Sequence, residues 1–220
     1  MDIGIVQITS KVKSEERFRM FIDEILPINS SLVEGKLTVV SPQNDTLMNK
    51  AVDELKSDFV LYTAWEVDMS HKWRLGLSRR PEEWVVMLAD DIKLTQEWLD
   101  NMKTFLQNNP PGQYGFRLVG SENKRHEFGE DWMQAPSRVT GARHRPLNYD
   151  IETGWIEESE TAYVANCVVH RDVISKVEPF GLFGCAPDVM WSMAIRKCGF
   201  PIGFNPKAFA YHLGDRRDNR

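Results

Sequence analysis

Apolar and polar residues follow two alternating rhythms along the first half of the chain. The run 85–89, Val85-Val86-Met87-Leu88-Ala89, is too short to span a membrane and too apolar for a surface strand, so it reads as a central strand buried on both faces. Similar short runs at 3–9, 37–40 and 59–62 predict three further strands. Between them the apolar positions recur with helical spacing. Phe18, Phe21, Ile22 and Ile25 predict a helix over 14–26, and Leu47, Ala51 and Leu55 one over 46–57; a further helical segment is expected over 71–80. After the 85–89 strand, Thr95 is placed to cap a helix whose stripe is Trp98, Leu99, Met102, Phe105 and Leu106, ended by Asn108-Asn109-Pro110-Pro111. The alternation β-α-β-α-β predicts an α/β sheet of the nucleotide-binding type.

The second half has a different pattern. Strands are expected at 114–119 and 161–169, separated by some forty polar residues in which no periodicity stands out. A connection of that length in a compact domain is usually functional or mobile. Short helices are predicted over 172–177 and over 187–198, the latter with Pro187 in its first turn and Gly199 at its stop. Two strand-like segments, 200–204 and 208–214, close the pattern before a charged tail.

The apolar run 85–89 stops at Asp90-Asp91, which places two carboxylates where a buried strand opens at its carboxyl end. In open α/β sheets that edge is where ligands bind. An Asp pair also starts turns for purely structural reasons, so its meaning depends on the rest of the chain.

Composition narrows the classes. The 220 residues suffice for one substantial core, and a single domain over 1–220 is expected. Against 27 basic residues stand 32 acidic ones, a net charge of −5, which argues against a protein that coats nucleic acid indiscriminately. Three cysteines, Cys167, Cys185 and Cys198, cannot all pair and suggest buried thiols in a reducing compartment. Cys167 and His170 have a ligand-like gap but no matching second pair, which disfavours zinc. Neither a signal-peptide pattern nor an apolar run of about 18 residues occurs. The expectation is a cytoplasmic protein with no transmembrane segment and no added acceptor domain.

Several segments together resemble the inverting glycosyltransferases of the family 2 type. Gly76-Leu77, then 83–91 with its Asp90-Asp91, and Glu97-Trp98-Leu99 look like that family's strand, aspartate motif and helix. Segment 163–169 followed by 177–183 is similar to its acceptor-side strand and turn. Pro187-Asp188-Val189-Met190-Trp191 with Arg196 and Gly199 resembles the helix carrying the catalytic base, and Tyr211-His212-Leu213-Gly214 the closing histidine turn. The resemblance covers most of the chain and is weakest over 120–160. It implies the GT-A fold, an α/β architecture with a mostly parallel central sheet flanked by helices. Residues of about 1–110 would form the half that binds a nucleotide-sugar, with a UDP-sugar foremost, and about 111–214 the acceptor side.

The resemblance assigns Asp91 as ligand of Mn²⁺ or Mg²⁺, and Asp90 to the ribose or to a share of the metal. A divalent cation suits this chemistry because the donor leaves as a diphosphate whose growing charge must be neutralised. Asp45 would contact the nucleotide base, with Thr9 nearby; Asp45 is equally a cap for the helix from Thr46. Lys72 and Arg74 would meet the base or diphosphate, or simply form a solvated helix face. Asp188 would be the base that takes the acceptor proton, although an acid in a helix's first turn is also favoured by the dipole alone. His212 would complete the metal site, which suits Mn²⁺ better than Mg²⁺. The chain departs from the pattern at Ala89, Pro187 and Met190, where the family often has acids. A sugar nucleotidyltransferase and an inactive nucleotide- or carbohydrate-binding protein are the alternatives. Against the first, 9–13 is not the Gly-rich loop that cradles a triphosphate.

The stretch 135–149 holds Arg138, Arg143, Arg145 and His144 and no acid. Arginine donates two hydrogen bonds at once to phosphate, so an acceptor loop for a phosphate-bearing hydroxyl substrate, nucleic acid or lipid-linked, is expected, with Trp132 and Trp155 to stack on a sugar or base; a neutral sugar or a protein is the other acceptor considered. The alternative is that these arginines pair with Glu127, Glu130, Asp131, Glu157 and Glu158 on a solvated loop.

Overall fold

The apolar runs of the first half become parallel strands in the computed structural model of the chain. Residues 1–9, 15–41, 46–61, 69–119, 137–140, 143–146, 152, 162, 166–178 and 187–213 are described. Strands β1 (Ile3–Ile8), β2 (Leu37–Ser41), β3 (Asp58–Leu61) and β4 (Trp84–Ala89) lie in the order β3-β2-β1-β4, each parallel to its neighbour. The sheet continues through β9 (Asn166–His170), β6 (Gln113–Val119), β10 (Ile202–His212) and the two-residue edge strand β5 (Ile92–Lys93). Only β9 and β5 run against the rest, so the eight-stranded sheet is mostly parallel. A hairpin of β7 (Ser137–Thr140) and β8 (Arg143–Pro146) forms a separate two-stranded ribbon.

Helices cover both faces, which explains why the central strands read as apolar throughout. On one face α1 (Glu15–Met20), a π-helical segment (Phe21–Ile25), α2 (Leu26–Leu32), α3 (Thr46–Glu54) and α5 (Gln96–Gln107) enclose a core containing Ile5, Phe21, Leu26, Val86, Trp98 and Phe116. On the other, α4 (Met69–Leu77), α6 (Arg171–Lys176) and α7 (Pro187–Lys197) enclose Val6, Trp73, Val85, Cys167, Trp191 and Ile195. Gly76 lets α4 lie flat on the sheet, because a Cβ there would overlap Val6 Cγ1 and stand 3.0 Å from Val40 Cγ2.

Three boundaries differ from the sequence reading for identifiable reasons. The helix expected to stop at Leu26 continues to Leu32. Proline lacks a donor and usually breaks a helix, but Pro27 sits in the first turn after the π-helical segment, where Leu26 N–H already reaches back to Phe21 O. The two closing segments are one strand, β10, whose register against β6 shifts between Asn205 and Phe209. The bulge brings Lys207 N–H to Asn205 Oδ1 at 3.1 Å, and it is this interruption that makes the strand look like two. The third is the unpatterned stretch after β6, which contains the β7–β8 hairpin. The expected cap is where it was expected: Thr95 Oγ1 accepts from Trp98 N–H at 2.9 Å.

Candidate functional site

The sheet has a switch point where the chain, having built β1, β2 and β3 outward, returns to place β4 on the other side of β1. Ile8 pairs with Ala89 there, so Thr9 and Asp90-Asp91 emerge side by side at the carboxyl edge. Crevices of this kind are where open α/β sheets bind ligands. All three residues are buried, Thr9 at 0%, Asp90 at 4% and Asp91 at 7% exposure. Two carboxylates this sheltered are costly unless partners or a cation compensate.

His212 reaches the same place from the far end of the chain. At its close β10 turns onto the edge strand β5, pairing His212 with Ile92 and Tyr211 with Lys93, and Leu213 N–H donates to Asp91 O at 2.8 Å. This sets His212 Nε2 3.3 Å from Asp91 Oδ2. A carboxylate oxygen and an imidazole nitrogen are fitting donors for Mn²⁺. Adjacent ligand atoms around an octahedral ion with bonds of about 2.1 Å stand about 3 Å apart, so the observed spacing accommodates a shared cation. Among the described residues there is no group of three or more His, Cys, Asp or Glu arranged as a self-sufficient cage. Ions of this type commonly complete their shells with water and substrate phosphates.

The turn bearing the two aspartates is held from beneath by two amides that the sequence reading passed over. Gln7, at 0% exposure in β1, donates from Nε2 to Ala89 O at 2.9 Å and to Ile92 O at 3.4 Å. Asn29, equally buried in α2, donates from Nδ2 to Ile92 O at 2.9 Å and to Gln7 Oε1 at 3.2 Å, and accepts from Leu94 N–H at 2.9 Å. The available signal was a lone amide within the otherwise apolar Ile3–Ile8 strand.

Asp188 stands half-buried in the first turn of α7. Because α7 must deliver the chain to the start of β10, at the opposite edge, its first turn faces the carboxyl edge. Two contacts anchor the helix: Trp191 Nε1–H donates to Val177 O, at the end of α6, at 3.0 Å, and Ser192 Oγ donates to Gln113 Oε1 in β6 at 3.2 Å. Gln113 in turn donates to Cys167 Sγ at 3.4 Å. Burial pushes the Cys167 thiol up to about 12, and the nearby Asp188 carboxylate adds to the rise against a lowering by the Gln113 hydrogen bond. The expectation of buried thiols holds for Cys167 but not for Cys198, which is exposed; neither is in a disulfide, and Cys185 lies outside the described residues. His170 packs edge-on to Trp84 and caps α6, accepting at Nδ1 from Asp172 N–H, so it serves a helix end.

The remaining expected residues divide. Lys72 is half-buried in α4; Arg74, two residues on, is exposed and lies 3.4 Å from Glu178 Oε2, as in a solvated helix face. Asp45, Trp132 and Trp155 lie outside the described residues, as do the acids proposed to pair with the arginines. In the β7–β8 ribbon Arg138 opposes Arg145 and Thr140 opposes Arg143. Opposed residues share a face, as do residues two apart along a strand, so all three arginines occupy positions of one face.

The chain matches no family model and no curated protein sequence. Solved structures resemble it closely in fold. GalNAc-T7 with UDP, GalNAc and Mn²⁺ superposes with a TM-score of 0.68 at 10% identity, covering 96% of this chain and 44% of that one. TarS 1-349 of S. aureus in complex with UDP-GlcNAc gives 0.63 at 12% identity, covering 98% and 59%. The mannosyltransferase PcManGT from Pyrobaculum calidifontis, in complex with GDP-Man and Mn²⁺, gives 0.58 at 13% identity, covering 99% and 58%. The chain thus spans about half the length of these proteins, and its fold is GT-A. No described helix is long and apolar enough to cross a membrane.

Proposed function

We propose that this chain is a metal-dependent inverting glycosyltransferase that moves a sugar from a nucleotide-sugar, a UDP-sugar first among candidates, to a hydroxyl acceptor. The observation that carries the reading is the convergence of Asp91 Oδ2 and His212 Nε2 at 3.3 Å on the switch-point edge of a GT-A sheet. These two residues would hold Mn²⁺ or Mg²⁺, and the imidazole favours Mn²⁺. The ion supplies positive charge to the departing diphosphate. Asp90 is assigned to the ribose or to a share of the metal, Thr9 and Asp45 to the nucleotide base, and Lys72 to the diphosphate. Arg74 is left to its pairing with Glu178.

Asp188 is the proposed base. As the acceptor oxygen bonds to the anomeric carbon from the face opposite the diphosphate, the bond to the diphosphate breaks and the hydroxyl proton passes to the Asp188 carboxylate. The half-buried position and the anchors at Trp191 and Ser192 suit a group that must be held steady but remain reachable. The arginine face of the β7–β8 ribbon is proposed to receive a phosphate-bearing acceptor, since three arginines at positions of one face are suited to consecutive phosphates.

The test is calorimetric titration of UDP into the protein with Mn²⁺ or with EDTA, for the native chain and Asp91→Asn. Binding should require Mn²⁺, and the variant should lose both most of the affinity and the metal requirement. Equal native affinity in the two buffers would remove the metal role. Incubation with a panel of UDP-sugars separates the alternatives: slow release of free sugar marks a transferase lacking its acceptor, whereas an inactive binder leaves the donors intact. A nucleotidyltransferase would instead form UDP-sugar and pyrophosphate from UTP and a sugar phosphate.

A further inference from the structure

We infer that Gln7 and Asn29 are positioning residues for the donor end of the site, holding the main chain of residues 89–94 so that Asp91 meets His212. The inference rests on the proposed role of that pair and adds residues remote from any substrate.

The chemistry of the contacts leaves one orientation for each amide. Leu94 N–H can only donate, so the Asn29 atom 2.9 Å away must be the oxygen, and Nδ2 then faces Ile92 O. Ala89 O and Ile92 O can only accept, so Gln7 presents its nitrogen to them and its oxygen to Asn29 Nδ2. Both amides are at 0% exposure. Together they hold the main chain before the aspartate pair, at Ala89, and after it, at Ile92 and Leu94. From the other side the same turn is held by Leu213 N–H on Asp91 O at 2.8 Å. The donor carboxylates therefore sit on a turn tied to β1 and α2 below and to the end of β10 above. A core that needed only to be filled would be better served at these positions by aliphatic side chains, because buried amides are costly unless fully paired. Outer partners of this kind typically change metal affinity by about 10- to 100-fold when removed.

The test uses UDP and Mn²⁺ as probes on two variants. Gln7→Met keeps the length and removes the donor to Ala89 and Ile92. Asn29→Asp keeps the acceptor for Leu94 N–H but sets an oxygen against Ile92 O and Gln7 Oε1. Ser30→Ala, the neighbouring buried residue, whose hydroxyl meets Ser57 at 2.9 Å and not the turn, controls for general loss of stability. The first readout is the ratio of UDP affinity in Mn²⁺ to that in EDTA, measured on folded protein. The second is amide exchange at Leu213, referenced to His170, whose N–H donates to Gly112 O at 3.0 Å beside the start of β4, at the end of that strand away from the turn. The expected result is a ratio at least about tenfold below native in either variant, with Leu213 protection lost, His170 protected and Ser30→Ala native in both readouts. A ratio within twofold of native in a folded variant overturns the inference. If the native protein itself binds UDP no better with Mn²⁺, the donor reading has failed, and Leu213 exchange alone decides the clamp: native protection in the variants overturns it, selective loss supports it. Should one variant fail to fold, the other carries the same test.

Discussion

Cys167 should make the protein sensitive to alkali in a way that its replacement reverses. The thiol is fully buried on β9, and burial raises it from an ordinary 9.0 to about 12. The unfolded chain gives up this proton from about pH 9, while the folded chain keeps it to about pH 12. The folded state therefore binds more protons across that window, and stability present below pH 9 is lost as the pH rises. For one such group the loss is about 1 kcal/mol at pH 10 and about 3 kcal/mol at pH 11. Tyr114, also raised by burial to about 12 from 10.0, adds to the loss in the same direction. Against a typical total of about 5–15 kcal/mol these are large losses. Cys167→Ala costs about 1–2 kcal/mol at neutral pH through a small cavity and the Gln113 amide left without its sulfur acceptor. It removes the thiol's alkaline penalty, so native and variant stabilities should cross near about pH 10. Urea unfolding followed by circular dichroism at pH 7, 9, 10 and 11 is the assay, with Cys198→Ala as a control because that cysteine lies at the surface. A variant weaker than native by the same margin at every pH would refute the reasoning.

Three further outcomes are expected. Asp188→Asn should keep Mn²⁺-dependent UDP affinity while transfer falls by on the order of a hundredfold or more; transfer near the native rate would leave Asp188 as a helix-end acid. Replacing Arg143 and Arg145 together with Ala should flatten the salt dependence of binding to inorganic polyphosphate, by about one unit of slope for each phosphate charge no longer neutralised, without altering UDP affinity. An unchanged slope would detach the ribbon from any anionic acceptor. Gly76→Ala should cost about 1–2 kcal/mol, since overpacking against Val6 and Val40 exceeds the ~1 kcal/mol that alanine contributes to the helix. An unshifted urea midpoint would mean that α4 does not lie flat on β1 and β2.

What the sequence determined by itself is local in its physics. The apolar run at 85–89 reads as a strand covered on both sides, Thr95 and the stripe from Trp98 to Leu106 as the start and buried face of a helix, and the alternation of the two as an α/β sheet of the nucleotide-binding type. The aspartate pair was visible because a strand's end is visible. The tertiary structure decided what depends on partners distant in the chain. Nothing near His212 indicates that its strand is continuous through a bulge at Asn205, nor that its end will pair with two residues after Asp91, because register is set by the neighbouring strand and not by the strand's own pattern. Gln7 and Asn29 look like ordinary polar interruptions until folding brings both beneath one turn. The arginines of 135–149 read as an irregular loop because two four-residue strands are too short to display a period, and only their pairing puts three arginine positions on a common face.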